Sequence, residues 1–293
     1  MTLIEQTREL LRKWLSMEKP TTFVHPNWQR WREDLRRYLL TEDFTNFLTN
    51  PLVRKVFYRL ETNAATAWEL DILTTAPEVQ LLTTFTESPV GAPALVPGWP
   101  MSSNTVEMIY WQHLLRRFAR WPRSIMEFGG GYGAFSYLLC KQMPNYHYTI
   151  IDLPEMLALQ FYFLSSSLPG REICPITNQG NLVSENATVL VPLSLVDQMQ
   201  VSTMDLFFST FGLSETPDSM QTFILDQKFF GATNVFLAGQ ASNEYSTHQR
   251  FLDGICNQYA YSAIEEGHNT CSYELWASKE ALCLEPQSPI ECL

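Results

Sequence analysis

The sequence predicts an α/β fold in which a doubly wound, mostly parallel sheet carries helices on both faces, preceded by an N-terminal helical region. From about residue 124 onward, short apolar stretches typical of buried strands alternate with helical segments, and this alternation indicates parallel strands joined by helical crossovers. A glycine-rich turn joins the first of these strands to an apolar helix. The chain has 293 residues, of which 45% are hydrophobic and 17% charged, so it can bury a substantial core.

Residues 1–75 are expected to be helical. An amphipathic stripe is followed by a proline-bounded break and then by a second stripe. The first consists of Leu3, Leu10, Leu11, Trp14 and Leu15, and the second of Trp28, Trp31, Leu35, Tyr38 and Leu39. Asp43 can cap a third segment, and Pro51 can open a fourth that ends near Leu60. Stripes so rich in aromatic residues predict packing in the core or in a homodimer interface.

Residues 76–283 are expected to form the main domain, which begins with an irregular connection over 76–100 that is rich in proline and glycine. Ser102, Ser103, Asn104 and Thr105 offer caps for a helix over 106–120. Residues 284–293 read as a loose tail with two prolines.

The remaining elements follow in alternation. Strands are predicted at 124–126, 148–151, 188–191, 205–208, 234–238, 261–266 and 272–277. Helices are predicted at 154–168, 220–230 and 247–258, with polar turns over 170–187. Because ligands of such sheets bind beyond the carboxyl ends of the strands, five segments are expected to converge on one crevice: 127–131, 152, 191–194, 209–215 and 240–244.

The glycine turn and the strand after it predict a cofactor that contains a nucleoside. Gly129, Gly130, Gly131 and Gly133 follow the first strand, and glycine allows a ligand to approach the backbone closely. The next strand ends in Asp152, 19 residues after Gly133, where a carboxylate can bind ribose hydroxyls. The run Gly129-x-Gly131-x-x-Ala134 also satisfies the loose dinucleotide fingerprint, so an NAD-binding oxidoreductase stays open.

Three details favour S-adenosylmethionine over a dinucleotide. Glu127 lies two positions before the first glycine, which suits a ligand with an ammonium group. The glycines cluster as Gly-Gly-Gly-x-Gly and leave little room for a pyrophosphate-binding helix start. Asp152 leads directly into Leu153 and Met156, whose apolar side chains can cover an adenine face.

The motifs Glu-Phe-Gly-Gly-Gly-Tyr-Gly (127–133) and Thr-Ile-Ile-Asp-Leu-Pro-Glu (149–155) resemble those of Rossmann-like S-adenosylmethionine-dependent methyltransferases, and among them the sugar O-methyltransferases. The likeness runs from about Gly91 to Lys279. It implies a methyl transfer to a hydroxyl of a sugar or glycosylated metabolite. It also includes a Ser/Asn-rich turn before the helix at 106, which implies that Ser103 and Asn104 hold the methionine carboxylate; simple helix capping is the equal alternative.

Position along the strands predicts the remaining cofactor contacts. The backbone from Phe128 to Gly131 borders the amino-acid part, and Glu127 reaches its ammonium. Asp152 binds the ribose. The adenine lies between Leu153 and Met156 on one side and residues 191–193, beginning with Val191, on the other. Ser209 and Thr210 lie beside the sulfonium.

The candidates for a general base are Glu215, which follows the strand at 205–208, and two histidines, His248 and His268. The resemblance places a Ser-x-x-Glu-like segment near Glu215, whereas here the serine and glutamate are adjacent. No metal site is expected, although Asp205, Glu215 and Glu244 could converge.

Charge and composition exclude several classes of protein. The net charge of −11 argues against a nucleic-acid partner. Four arginines, at 30, 32, 36 and 37, alternate with Glu33 and Asp34 and indicate a solvated helix face. The six cysteines show no Cys-x-x-Cys spacing, the N-terminus does not read as a secretory signal, and no apolar run is long enough to span a bilayer. These features predict a cytoplasmic protein with reduced thiols.

The expected function is therefore S-adenosylmethionine-dependent O-methylation of a small-molecule or glycoconjugate acceptor. Methylation of a non-sugar metabolite remains an alternative within the same chemistry. A cofactor-binding subunit that has lost catalysis is the alternative from a different class.

Overall fold

A computed structural model describes residues 1–18, 26–57, 59, 64–177, 186–199, 203–240, 249–266 and 272–283. In these residues an N-terminal group of helices precedes alternating strands and helices. The helices are α1 (Leu3–Met17), α2 (Pro26–Thr41), α3 (Pro51–Phe57), α4 (Ala64–Thr75), α5 (Val79–Thr84), α6 (Ser103–Leu114), α7 (Ala134–Gln142), α8 (Pro154–Ser167), α9 (Asp218–Asp226) and α10 (Gln249–Gln258).

The strands form one mostly parallel sheet, as predicted. They are β1 (Ser124–Phe128), β2 (His147–Asp152), β3 (Glu172–Pro175), β4 (Ala187–Pro192), β5 (Leu206–Thr210), β6 (Asn234–Gln240), β7 (Tyr261–Glu266) and β8 (Ser272–Ser278). Their order is β3-β4-β2-β1-β5-β6-β8-β7, and only the pairs of β8 with β6 and β7 are antiparallel. The order reverses at β1, with β2 on one side and β5 on the other. Ligands bind at such a switch point in open α/β sheets.

Two apolar cores cover the two faces of the sheet, because successive residues of a strand point in opposite directions. Phe208 lies in one core, which also contains Leu11 and Trp14 of α1 and much of α6, α7 and α8. Its neighbour Phe207 lies in the other core, with residues of α9 and α10. The predicted α/β fold with helices on both faces is confirmed.

Several element boundaries differ from the expectation. The helix predicted at 106–120 is α6, which is capped by the Ser102 hydroxyl and ends at Leu114. The helix predicted at 220–230 ends at Asp226, because Phe229 and Phe230 adopt positive φ angles of 51° and 53°. The stretches 76–100 and 170–187, read as irregular, contain α5 and β3. Asp43 accepts a hydrogen bond from the Thr45 amide and precedes a 3₁₀ turn instead of an α-helix.

The N-terminal helices pack against the sheet domain. Helix α1 lies on α8, and the Trp14 indole donates to the carbonyl of Ile176 at 2.6 Å. In the aromatic stripe of α2, Tyr38 is buried and the Trp31 indole donates to the carbonyl of Leu52 at 3.1 Å. Much of the stripe is therefore covered within the chain itself.

The interpretation of the arginines of α2 as a solvated face was wrong for two of them. The carboxylate of Glu155, at the start of α8, is fully buried and accepts from Arg32 Nε at 3.0 Å and from Arg36 at 2.7 Å. Glu18 pairs with both arginines as well. Arg37, in contrast, makes an exposed pair with Asp34. A buried ion network thus joins α2 to the first turn of α8.

Among the described residues, no helix combines the length and the apolar character needed to cross a bilayer.

We expect the Glu155→Gln variant to lose about 3 kcal/mol of unfolding free energy. The change keeps the shape of the side chain but removes the negative charge between two guanidinium groups, and breaking a buried ion pair typically costs about 3–5 kcal/mol. The matched control is Asp34→Asn, which breaks an exposed pair worth about 1 kcal/mol or less. Urea unfolding measures both. Equal losses in the two variants would contradict a structural role for the buried network.

Candidate functional site

Two adjoining cavities lie at the carboxyl ends of the central strands, with volumes of ≈ 150 Å³ and ≈ 380 Å³. Six residues line both: Val56, Gly129, Gly131, Thr210, Phe211 and Glu215. The first cavity extends toward Asp152 at the end of β2, and the second toward Glu127 and α6. The two cavities therefore form one crevice with a shared middle.

The glycine turn after β1 fixes the shape of this middle. Gly129 and Gly131 have φ angles of 78° and 56°, which residues with a Cβ rarely adopt. A Cβ on Gly212, in the loop after β5, would lie 2.8 Å from the Cα of Gly129. Glycine is thus required at two facing positions, because the loops after β1 and β5 touch backbone to backbone.

Glu127 lies at the base of the second cavity. It is 3% exposed, and the hydroxyl of Tyr148 donates to its Oε2 at 2.9 Å. Burial raises the pKa of Glu127 to about 8; the negative charge of Asp152 adds to this and the Tyr148 hydrogen bond opposes it. A cationic ligand group beside this carboxyl would lower its pKa and hold it ionised.

Asp152 lies in the wall of the first cavity. Its Oδ1 accepts from the Leu153 amide and its Oδ2 from the Gln160 side chain, both at 2.8 Å. Gln160 also donates to the carbonyl of Gly131, so one amide links the carboxylate to the glycine turn. Burial raises the pKa of Asp152 to about 7 despite these hydrogen bonds. Two hydrogen bonds therefore hold this buried group in place at the border of the cavity.

Apolar side chains complete the first cavity. Leu153 and Met156, the two residues expected to contact the adenine, line it together with Phe128 and Leu193. Val191 does not line it: its side chain belongs to the core on the α9 face of the sheet, and the wall is formed two residues later by Leu193.

The second cavity is lined mainly by polar and charged residues. Asn104 faces it and donates to the Tyr132 hydroxyl at 2.9 Å. Arg59 lines it too, and its guanidinium bridges Glu69 and Glu107 at 2.8 Å each. Lys55 and Trp111 are also in the wall. Ser103 is buried in the first turn of α6 and is not among the described lining residues.

Glu215 borders both cavities. Burial raises the pKa of its carboxyl to about 7. Its backbone amide donates to the carbonyl of Phe211, which fixes the residue in a turn after β5. In the described part of the chain no side chain pairs with its carboxylate. The other two candidate bases, His248 and His268, lie outside the described residues.

Ser209 has a different place from the one expected. Its hydroxyl donates to the carbonyl of Phe128 at 2.8 Å and accepts from the Leu213 amide at 3.0 Å. It thereby ties the loop after β5 to the glycine turn, while the next residue, Thr210, lines the cavities.

No cluster of three potential metal ligands occurs among the residues that the structure describes. Asp205 and Glu215 do not converge, because Asp205 precedes β5 and accepts from the amides of Arg123 and Ser124 at the start of β1. Asp205 therefore lies at the amino ends of the strands, whereas the crevice lies at their carboxyl ends. Glu244 lies outside the described residues.

The aromatic stripe of the N-terminal helices was expected to pack on the main domain or on a second copy and to help cover the acceptor site, but the sequence did not indicate which residues of these helices line the cavities. Trp28 of α2 lines the first cavity, Lys55 and Arg59 the second, and Val56 both. Glu107 and Trp111 of α6 were missed as well. The aromatic stripe of α2 was a visible signal, but nothing in it distinguishes a residue that packs from one that faces a ligand.

Comparisons with known proteins give similarity only at the level of solved structures. No protein-family model and no curated protein matches the chain. A methyltransferase from Pyrococcus furiosus is 13% identical with a TM-score of 0.42, over 74% of this chain and 96% of that one. An O-methyltransferase of Nostoc punctiforme is 12% identical with a TM-score of 0.40, over 81% and 72%.

A third structure, PigF with SAH, is 14% identical with a TM-score of 0.38 over 56% of this chain, which spans only 59% of that protein. At these values the likeness says nothing about ligand or reaction, which must be inferred from the site itself.

The raised pKa of Glu127 predicts a pH-dependent cost in stability that the Glu127→Gln variant lacks. Between the ordinary pKa of 4.5 and about 8, the folded state holds a proton that the unfolded state has lost. The stability of the wild type relative to the variant therefore falls as pH rises through this window and is constant above it. Urea unfolding from pH 4 to 9 measures the difference. Exposed Glu9→Gln is the control, and a pH-independent difference for Glu127→Gln would place this carboxyl in a hydrated setting.

Proposed function

We propose that the chain is an S-adenosylmethionine-dependent methyltransferase that transfers a methyl group to a hydroxyl. The observation that carries the proposal is a crevice of two connected cavities at the glycine turn. The buried carboxyl of Asp152 borders the first cavity and that of Glu127 borders the second, and Glu215 lies in the middle that both share. This arrangement suits a cofactor that lies across the glycine turn, with its adenosine part in the first cavity and its amino-acid part beside Glu127, and an acceptor in the rest of the second cavity.

The donor set fits S-adenosylmethionine. Asp152 can accept hydrogen bonds from two ribose hydroxyls, and Leu153, Met156 and Leu193 offer apolar contact for the adenine. Glu127, buried with one hydrogen bond from Tyr148, can receive an ammonium group. A pyrophosphate, in contrast, would meet carboxyls with no described basic side chain in the first cavity. Two acidic groups favour the cationic cofactor over a dinucleotide.

In this reaction the main task of the protein is to align the acceptor hydroxyl with the methyl group of the cofactor. The cofactor supplies a methyl group on a sulfonium, which is a good leaving group. The chain must hold the acceptor hydroxyl in line with that methyl and exclude water. As the oxygen gains the methyl group it loses a proton, and Glu215 takes it as general base. A carboxyl with a pKa of about 7 is suited to this task near neutral pH.

A sugar or glycosylated acceptor is the substrate class that this second cavity supports best. Its wall has charged and amide groups that can bind hydroxyls, from Arg59, Asn104 and Glu107, beside the aromatic Trp111. A phenolic or other small metabolite would need a more apolar wall. Methylation of such a metabolite, and cofactor binding without turnover, are the alternative outcomes.

A turnover assay tests this proposal. The protein is incubated with S-adenosylmethionine and separate sets of nucleotide sugars, glycolipids and small phenols, and formation of S-adenosylhomocysteine is measured. We expect turnover with a carbohydrate set and none with the phenols. Turnover with phenols alone would contradict the sugar acceptor, and cofactor binding without turnover on any set would favour the non-catalytic subunit.

The Asp152→Asn variant should bind S-adenosylhomocysteine at least tenfold more weakly than the wild type. The change removes the charge that strengthens the hydrogen bonds to ribose, each worth about 1.5–3 kcal/mol. Calorimetric titration measures the affinity, and circular dichroism checks that the fold is retained. The control is the exposed Asp218→Asn. Unchanged affinity would remove Asp152 from the cofactor site.

The Glu215→Gln variant should lose at least a hundredfold in turnover, which is within the usual contribution of general-base catalysis. Its affinity for the cofactor should change little. In the wild type, turnover should rise with pH through about 7 as the carboxyl ionises, and the variant should lose this dependence. The distant Glu280→Gln is the control. Normal turnover of the variant would direct the search for a base to His248 and His268.

A further inference from the structure

The N-terminal helices contribute part of the wall of the first cavity, and the sheet domain forms the rest. Trp28 lines the first cavity together with Asp152, Leu153 and Met156. Its indole is half-buried and packs against the core on the α9 face of the sheet. A large aromatic side chain from an otherwise separate group of helices thus borders the carboxylate that marks the ribose position.

Neighbouring residues hold this indole in place. The rings of Trp28 and Trp31 meet edge to face, with centroids 5.1 Å apart. Trp31 is itself anchored, because its indole donates to the carbonyl of Leu52 at the start of α3. Helix α3 contributes Val56 to the same cavity. Helices α2 and α3 therefore form part of the cavity wall, in which these contacts fix the position of the Trp28 ring.

The ion network fastens α2 to the turn that bears the ribose-binding carboxylate. Glu155 follows Asp152 by three residues and is fully buried against Arg32 and Arg36. Trp28, Arg32 and Arg36 are spaced by four residues and so lie along one face of α2. The same helical face that binds Glu155 thus brings Trp28 to the cavity.

We propose that Trp28 contacts the adenosine part of the cofactor and that α2 is a component of the cofactor site. The proposal rests on the proposed function. Stacking of a base on an aromatic side chain is tolerant of geometry and stabilises bound nucleotides. The other aromatic residues of the first cavity are Phe128, beside the glycine turn, and Phe211, in the loop after β5 that touches this turn; Trp28 is the one that α2 contributes, alongside Asp152, Leu153 and Met156. Cofactor binding and docking of α2 are then linked, so that each strengthens the other.

Substitution at Trp28 tests the contact. We expect Trp28→Ala to bind S-adenosylhomocysteine about tenfold more weakly and Trp28→Phe to keep most of the affinity. The control is Trp68→Ala, which removes a tryptophan of α4 that is 41% exposed and borders neither cavity among the described residues. Calorimetry gives the affinity and urea unfolding the stability, so a loss of packing alone is recognised as lower stability with unchanged affinity. That result would overturn the proposal.

Hydrogen exchange of the wild type tests the linkage without any substitution. Saturating S-adenosylhomocysteine should slow amide exchange in α2 as well as around Asp152. Slower exchange around Asp152 with unchanged exchange in α2 would overturn the linkage while leaving the cofactor site intact. Absence of any binding by the wild type would instead refute the proposed function, so the two failures are distinguishable.

Discussion

The contact between the backbones at Gly129 and Gly212 is the constraint on which the rest of the site depends. It brings the loop after β5 against the turn after β1, closer than any side chain at either position would allow. Ser209 secures this contact by bonding to both loops. As a result Thr210, Phe211 and Glu215 are carried to the point where the two cavities meet. The glycine turn is therefore more than a place for close approach of a ligand, because it also positions the candidate base.

The electrostatic character of the crevice follows from burial. Glu127, Asp152 and Glu215 all have raised pKa values because each loses hydration in the fold. Three such carboxyls within one crevice disfavour an anionic ligand and favour one that carries positive charge. A cationic cofactor relieves the cost of ionising them, so ligand binding and proton release are expected to be coupled. The free-energy cost of ionising these buried carboxyls thus favours binding of the cationic cofactor that we propose.

The part of the site that depends on local sequence could be predicted, and the part that depends on long-range packing could not. The glycine turn, Asp152 and the apolar residues after it stand in one short stretch, and the mostly parallel sheet followed from the alternation of strands and helices. Glu155 is separated from Arg36 by 119 residues and from Arg32 by 123, so the sequence did not show this ion pairing. The acidic residues next to the arginines in the sequence suggested a solvent-exposed face instead. Val191 and Ser209 were misplaced because the alternation of a strand near its end decides whether a side chain faces the core or the cavity. Trp28 was recognised as part of an apolar stripe, but which residue of that stripe reaches a cavity depends on its packing against the sheet domain.

Whether this crevice binds S-adenosylmethionine can be measured on the unaltered protein at equilibrium. S-adenosylmethionine and NAD are titrated separately into the full chain by calorimetry at several pH values between 6 and 8.5. We expect a single site for S-adenosylmethionine and no comparable binding of NAD. The affinity for S-adenosylmethionine should increase with pH as Asp152 and Glu127 ionise, because burial raises their pKa values to about 7 and about 8. Preferential binding of NAD, or no binding of S-adenosylmethionine at any of these pH values, would contradict the proposed cofactor.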